Sequence, residues 1–420
     1  MSTALWVVFV TAPPAPAATA HTLPGLQAEL SRQLTLAGRA DGAYVYDVTA
    51  KKVLYSLRPT TTRPPASVEK LYTATAVLGR MGATARLATT VLGVGQLTPG
   101  GVWEGDIYLR GGGDPTFGSS AFIRRHYGGI GTSVTTLART LKKLGIHKIT
   151  GTVDGDESYF DSLRGEPSSD YRPDYFLEGT LSALSFDRGA TGSERGAHAP
   201  AAYAARQLRK ALREVGVAVA GSGTAASAPS DAVQLVEAPS PTISQLLALT
   251  LPPSDNFFAE TLLKDLGARY GTAGTTAAGA AVASQEISSL LGIHPRIVDG
   301  SGLSESDHTS PYQVADLLAQ LYGTPIGTTI REHLAVAGLS GTLETRMRRT
   351  IAAGHCEGKT GTLTGASNLA GYCQAANGHI VAFVIFNDRI STTSAHVYQD
   401  RIVIAIAGSR PSEAELAAIG

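Results

Sequence analysis

At 420 residues the chain exceeds what one ordinary hydrophobic core supports, so two or more structural units are expected. Its 35 basic and 35 acidic residues cancel, which leaves no compositional ground for a nucleic-acid partner. Charged residues make up only 17% beside abundant glycine, alanine, serine and threonine, a balance that suits an exported, turn-rich protein.

In chain order the first feature is ALWVVFV followed by TAPPAPAATA, whose Ala-x-Ala end resembles a cleavage site. Residues 1–22 are therefore expected to be a signal-like leader, although no lysine or arginine precedes the apolar run. The protein would then lie in the periplasm, outside the cell, or on the cell-wall side of the membrane. No later segment has the uninterrupted apolar length of a bilayer crossing. Residues 24–37 open on a proline and predict a helix, and GAYVYDVTAKKVLYSL at 42–57 alternates like a hairpin. SVEKLYTATAVLGRMG predicts a helix from near Ser67, its entry fixed by the proline pair of TTTRPPA. From 88 to about 245 short strand-like runs mix with helix-like ones, which reads as an added unit, or two. Helical segments return from 245 with DNFFAETLLKDLGARYG, TTAAGAAVASQEISSLLG and PYQVADLLAQLYG. A terminal hairpin and a last helix, HVYQDRIVIAIAG, close the chain.

The hairpin carries Lys359, Thr360, Gly361 and Thr362 on one arm, with GAS as its expected turn and IVAFVIFN at 380–387 as the next strand. Glycine weakens a strand, and its usual justification is close approach by a neighbour or a ligand. A cation, two hydroxyls and a bare backbone edge suit a bound carboxylate; a solvated edge strand guarded by a lysine is the alternative. Cys356 and Cys373 bracket the hairpin, so paired arms could bring them within reach of a disulfide; the alternative is two buried thiols.

Ser67 and Lys70 form Ser-x-x-Lys, a spacing that puts both side chains on one helical face. A serine hydroxyl needs a base to take its proton, and a buried lysine has a lowered pKa because desolvation disfavours its charged form. DGSGLSESD at 299–307 offers Ser301, Ser304 and Ser306 between Asp299 and Asp307, either as a helix-capping loop or as a second hydroxyl for proton relay. The order Ser-x-x-Lys, serine loop, Lys-Thr-Gly matches the signature of penicillin-binding proteins and serine β-lactamases. Asp114 reads as a turn former or a structural ion-pair partner, Arg188 as a junction residue, and Asn256 and Glu260, one turn apart on a helix, as mutual support. Ten scattered histidines, His308 and His355 among them, show no metal-ligand spacing.

Over nearly its whole length the chain resembles the DacB family of D-alanyl-D-alanine carboxypeptidases/endopeptidases, the class C low-molecular-mass penicillin-binding proteins. PPASVEKLYTATAVL, YLRGGGDPTF, ALSFDRG, SDNFFAETLLKDLG, VDGSGLS, GTLETRM and GKTGTLTGASNLAGY carry the resemblance in family order. It implies an α+β fold: a β-lactamase/transpeptidase-like domain with a five-stranded antiparallel sheet flanked by helices, interrupted by two nested β-rich domains. That domain would occupy 23–87 and 246–420, with the insertions at 88–245 and the nested one at about 115–200.

The resemblance further implies that Ser67 is the nucleophile and Lys70 its base, acting on the D-Ala-D-Ala end of peptidoglycan stem peptides. The backbone N–H groups of Ser67 and Thr362 would form the oxyanion hole. Ser304 would pass the proton to the departing D-alanine, Lys359 would support that network, and Thr360, Gly361 and Thr362 would hold the substrate carboxylate. β-Lactam antibiotics would acylate Ser67 as inhibitors, and no metal or organic cofactor is required. Association with the cell wall or, peripherally, the membrane is a further expectation. The family's second motif ends as Ser-x-Asn, and after Ser304 there is no asparagine, so Ser306 or Asp307 would have to substitute. Carboxypeptidase and D,D-endopeptidase share the chemistry. The rival functions are a catalytically weak penicillin- or peptidoglycan-binding scaffold and, further off, a β-lactamase.

Overall fold

The computed structural model describes residues 21–189 and 199–419. The expected leader at 1–22 therefore lies almost wholly outside the described residues. The chain runs through helix α1 (Leu23–Ala37), strands β1 (Gly42–Asp47) and β2 (Lys52–Leu57), a 3-10 turn at Ala66–Glu69 and helix α2 (Lys70–Met81). Next come β3 (Arg86–Leu97), β4 (Val102–Arg110), α3 (Ser120–Tyr127), α4 (Val134–Lys143), β5 (Lys148–Ile149), β6 (Val153–Asp156), α5 (Pro200–Glu214), β7 (Ala218–Val219) and β8 (Val233–Thr242). Helices α6 (Ile243–Thr250), α7 (Asn256–Tyr270), α8 (Thr276–Leu291), α9 (Pro311–Leu321) and α10 (Pro325–Glu332) follow. The chain ends with β9 (Ala335–Val336), β10 (Cys356–Leu363), β11 (Ala366–Gln374), β12 (Ile380–Asp388), α11 (Thr392–Ala407) and α12 (Glu413–Ala418).

The first sheet has the order β2-β1-β12-β11-β10-β9, antiparallel throughout. It is the expected sheet of five long strands, widened by the two-residue β9 at the edge of β10. Period-two alternation along β12 sends Ala382, Val384 and Phe386 into one core and Val381, Phe383 and Ile385 into another. The first core lies under α2, α6, α7 and α9, the second under α1 and α11. Strands covered on both faces read as continuous apolar runs, which is why IVAFVIFN shows no polar face. Helix α2, between this sheet and α7 and α8, is buried from Lys70 to Leu78.

The insertion from β3 to β8 forms a second sheet, β7-β5-β4-β3-β8, with β6 also on β4. Two nested β-rich units were expected here, and the structure differs. Residues 115–189 contribute β5 and β6 to this same sheet, both parallel to β4. Their Phe117, Leu137, Leu141 and Phe186 share one core with Val91 and Val236. Parallel strands need long crossovers, and helices α4 and α5 supply them by packing on the sheet. Among the described residues the segment thus has neither a sheet nor a core of its own, and 190–198 fall outside them.

Candidate active site

The site begins where the chain is bent against its preference. Ala66 has φ 50°, an uncommon conformation for a residue with a side chain, and the 3-10 turn it opens carries Ser67 into α2. The bend is held from β11: Asn368 Nδ2 donates to the carbonyl oxygens of Pro64 and Pro65, both at 2.9 Å. Lys70 Nζ lies 2.9 Å from Ser67 Oγ. It also donates at 2.6 Å to Asn256 Oδ1 and at 2.6 Å to the carbonyl oxygen of Ser301. Burial, outweighing nearby carboxylates, lowers Lys70 to about 8. An amine so tuned is partly neutral near physiological pH and competent to take a hydroxyl proton.

Strand β10 closes the other side. A Cβ added to Gly361 would lie 2.6 Å from Pro65 O and 3.0 Å from the amide nitrogens of Ser67 and Val68. The glycine is there because the Ser67 turn packs directly on the strand's backbone, where a side chain has no room. Lys359 is fully buried, donates to Ser254 Oγ at 2.7 Å and to Thr360 O at 2.9 Å, and is pushed well below its ordinary pKa by burial and by Lys70. Thr360 Oγ1 donates to Thr342 Oγ1 at 2.8 Å, and Thr362 is exposed at the open end of the strand. The hairpin turn is Thr364-Gly365, since Ala366 and Ser367 of the expected GAS turn already pair with Leu363 and Thr362. Cys356 and Cys373 face each other across β10 and β11 and form a disulfide, with Cα atoms 4.1 Å apart.

The serine-rich loop does not bring its hydroxyls to the lysines. Ser304 Oγ accepts the N–H of Ser306 at 3.2 Å and makes no hydrogen bond to Ser67, Lys70 or Lys359. Ser306 is exposed, its carbonyl beside His308 Nδ1, and His355 is an exposed residue before β10. Asp307 is buried and pushed up to about 12 by burial and by Asp299, so it is a neutral acid that accepts the N–H groups of Val298 and Asp299. What reaches Lys70 from this loop is a backbone carbonyl. The hydroxyl beside Lys359 and the amide beside Lys70 belong to Ser254 and Asn256, so Ser254-Asp255-Asn256 is the Ser-x-Asn of the site. The tripeptide stands in the plain sequence between the other two motifs. In the sequence the serine-rich loop is the more conspicuous source of hydroxyls, and Asn256 has the spacing of helix support.

Three features hold that tripeptide. Ser254 has φ 66°, a conformation that costs a side-chain-bearing residue about 1–2 kcal/mol. Asp255 caps α7 by accepting Phe258 N–H at 2.9 Å. Arg188 of the insertion pairs with Asp255 and bonds Tyr127 Oη at 2.8 Å, stitching the two units together. Asn256 Nδ2 donates to Phe176 O of the insertion at 2.8 Å. Glu260, expected to support Asn256, instead accepts the N–H groups of Gly300 and Ser301 at 2.9 and 2.7 Å, and burial raises it to about 8. Asp299 accepts from Ser301, Gly302 and Ser304 N–H. Asp114 accepts from Thr116 and Thr132, which makes it an organiser of its own turn.

A serine beside a buried lysine, an amide on that same lysine, and a second hydroxyl held by another buried lysine define a serine–lysine site on a helix-flanked antiparallel sheet. The chain belongs to the D-Ala-D-Ala carboxypeptidase 3 (S13) family, which it matches over residues 26–194 and 174–407. It is 29% identical to a D-alanyl-D-alanine carboxypeptidase of Actinomadura sp. (strain R39), over 89% of this chain and 82% of that protein. The fold is similar to that of penicillin binding protein 4 (dacB) from Haemophilus influenzae, with a TM-score of 0.73, 20% identity, and coverage of 89% of this chain and 97% of the other. It is also similar to the Bd0816 predatory endopeptidase from Bdellovibrio bacteriovorus, with a TM-score of 0.56, 18% identity, and coverage of 87% and 92%. Family and fold together support a serine hydrolase that acts on peptidoglycan-like substrates.

Proposed function

We propose that the protein is a serine-type D-Ala-D-Ala carboxypeptidase of exported location. Neutral Lys70 takes the proton of Ser67 as Oγ attacks the carbonyl between the two terminal D-alanines. The oxyanion forms between the backbone N–H groups of Ser67 and Thr362. Ser254, held by Lys359, passes the proton to the departing amine, the role first expected of Ser304. Thr360 and Thr362 hold the terminal carboxylate beside Lys359. Water then cleaves the Ser67 ester, releasing the shortened peptide. The observation that carries this reading is the contact of Lys70 Nζ with Ser67 Oγ, Asn256 Oδ1 and Ser301 O at 2.9, 2.6 and 2.6 Å. With Asn256 in the site, the main argument for a weak scaffold falls away. The Cys356–Cys373 disulfide fits an oxidising compartment and so supports export.

The test is release of D-alanine from diacyl-D-Ala-D-Ala tripeptide, followed with intact-mass analysis of the protein and a Ser67→Ala control. Steady release that vanishes in the control supports the carboxypeptidase. A covalent penicillin adduct without release favours the scaffold reading. Neither release nor adduct in folded protein sinks the nucleophile. A cross-linked stem-peptide dimer in parallel separates carboxypeptidase from endopeptidase.

A further inference from the structure

On the same face of the first sheet as Lys359, but at its other side, lies a groove of about 530 Å³. Tyr44 is in lateral register with Lys359 through Val384 and Ala370. At about 4.8 Å per strand the two positions are about 14 Å apart across the sheet. The groove opens between β1 and α9. Tyr44 and Tyr46 project from β1, Tyr312 and Tyr322 stand at the two ends of α9, and Lys51 and Asp316 add one charge of each sign.

Tyr312 is 42% exposed and meets Tyr44 edge-on with ring centroids 5.6 Å apart. The Arg331 guanidinium packs on Tyr322, 4.8 Å from the ring centroid, and so helps fix that wall. The hydroxyls of Tyr55, Tyr72, Tyr127 and Tyr372 all have protein partners. Those of Tyr44, Tyr46, Tyr312 and Tyr322 have none among the described residues. Four rings with open hydroxyls thus line one concavity whose size is that of a ligand site. With Lys51 balanced by Asp316 the lining carries no net charge, which disfavours a phosphate or other anion. Rings that offer an apolar face and a polar tip match a ligand alternating C–H faces with hydroxyl and amide groups.

From this lining we infer that the groove binds a short, neutral stretch of β-1,4-linked, N-acetylated amino-sugar glycan. The inference rests on the proposed peptidoglycan reading: such a glycan is the strand from which the stem peptides hang. The groove would then hold the polymer while the cleft acts on its peptide.

The test uses chitotetraose, a neutral N-acetylglucosamine tetramer, with saturation-transfer NMR on the full chain after its cleft has been acylated by penicillin. The acylated protein should still bind the tetramer. Tyr312→Ala, at an exposed position, should weaken binding at least tenfold, and Tyr46→Phe, which keeps the ring, should weaken it severalfold. Both variants should release D-alanine from the soluble tripeptide at the unaltered rate. No binding by the unmodified sequence, or binding undiminished in both variants, overturns the groove assignment whatever the tripeptide assay gives. Tetramer binding lost in the variants, with no tripeptide turnover by any form, overturns only the peptidase reading and leaves the groove standing.

Discussion

Two loops converge on Lys70, and they do it with opposite chemistry. Residues 254–256 present side chains: a hydroxyl to Lys359 and an amide oxygen to Lys70, from a backbone bent to φ 66°. Residues 299–307 present a carbonyl, and their side chains turn inward to hold the loop's own N–H groups. The serine-poor loop does the reaching and the serine-rich loop does the bracing. A count of hydroxyls therefore says less about a site than where the backbone groups of the same segment are satisfied.

The sharpest way to break this contrast is to delete one hydroxyl from each loop. Ser254→Ala should slow penicillin acylation by about 10²–10⁴-fold, the usual worth of a positioned proton-transfer group. Ser304→Ala should stay within a few-fold of the starting rate by stopped-flow. Equal losses would erase the distinction. Next, Asp299→Ala should cost about 3 kcal/mol in urea unfolding, because it strips the acceptor from the buried N–H groups of Gly302 and Ser304, while Ser301 N–H keeps Glu260. A loss under about 1 kcal/mol would show that the loop holds itself.

A smaller effect concerns Lys70, which both loops touch. With burial lowering it to about 8, the neutral form should grow from about a tenth at pH 7 to about nine tenths at pH 9. Acylation should accordingly rise about tenfold over that interval, and a flat profile would remove Lys70 as the base. The smallest effect is a gain. Ser254→Gly should relieve the left-handed backbone and stabilise the protein by about 1 kcal/mol while leaving it poorly active. No gain in melting temperature would mean that the Ser254 hydroxyl contributes as much to folding as its backbone costs.

Much of this was legible in the sequence for local reasons. Ser67 and Lys70 are three residues apart at a helix start, and the Cys356–Cys373 hairpin declares itself by alternation and a glycine. Gly361 was readable as a close approach, though not what approaches: the answer, the Ser67 turn, lies almost 300 residues away in the chain. The second motif failed for a physical reason. Ser254 and Asn256 straddle a helix N-terminus, where a periodicity reading sees a cap and an amphipathic face. Their meeting with the lysines depends on a backbone bend that no residue preference announces. The insertion failed similarly, because parallel pairing of β5 and β6 with β4 joins segments whose separate short runs look like a free-standing unit.

Asn256 uses both ends of its amide, the oxygen on Lys70 and the nitrogen on the carbonyl of Phe176. Turned over, the same group would set its own donors against an ammonium, so the Phe176 carbonyl acts as a key that admits one orientation only. The insertion is then no removable ornament. Any shortened descendant of this chain would have to supply another acceptor at that spot before its lysine found the amide facing the right way.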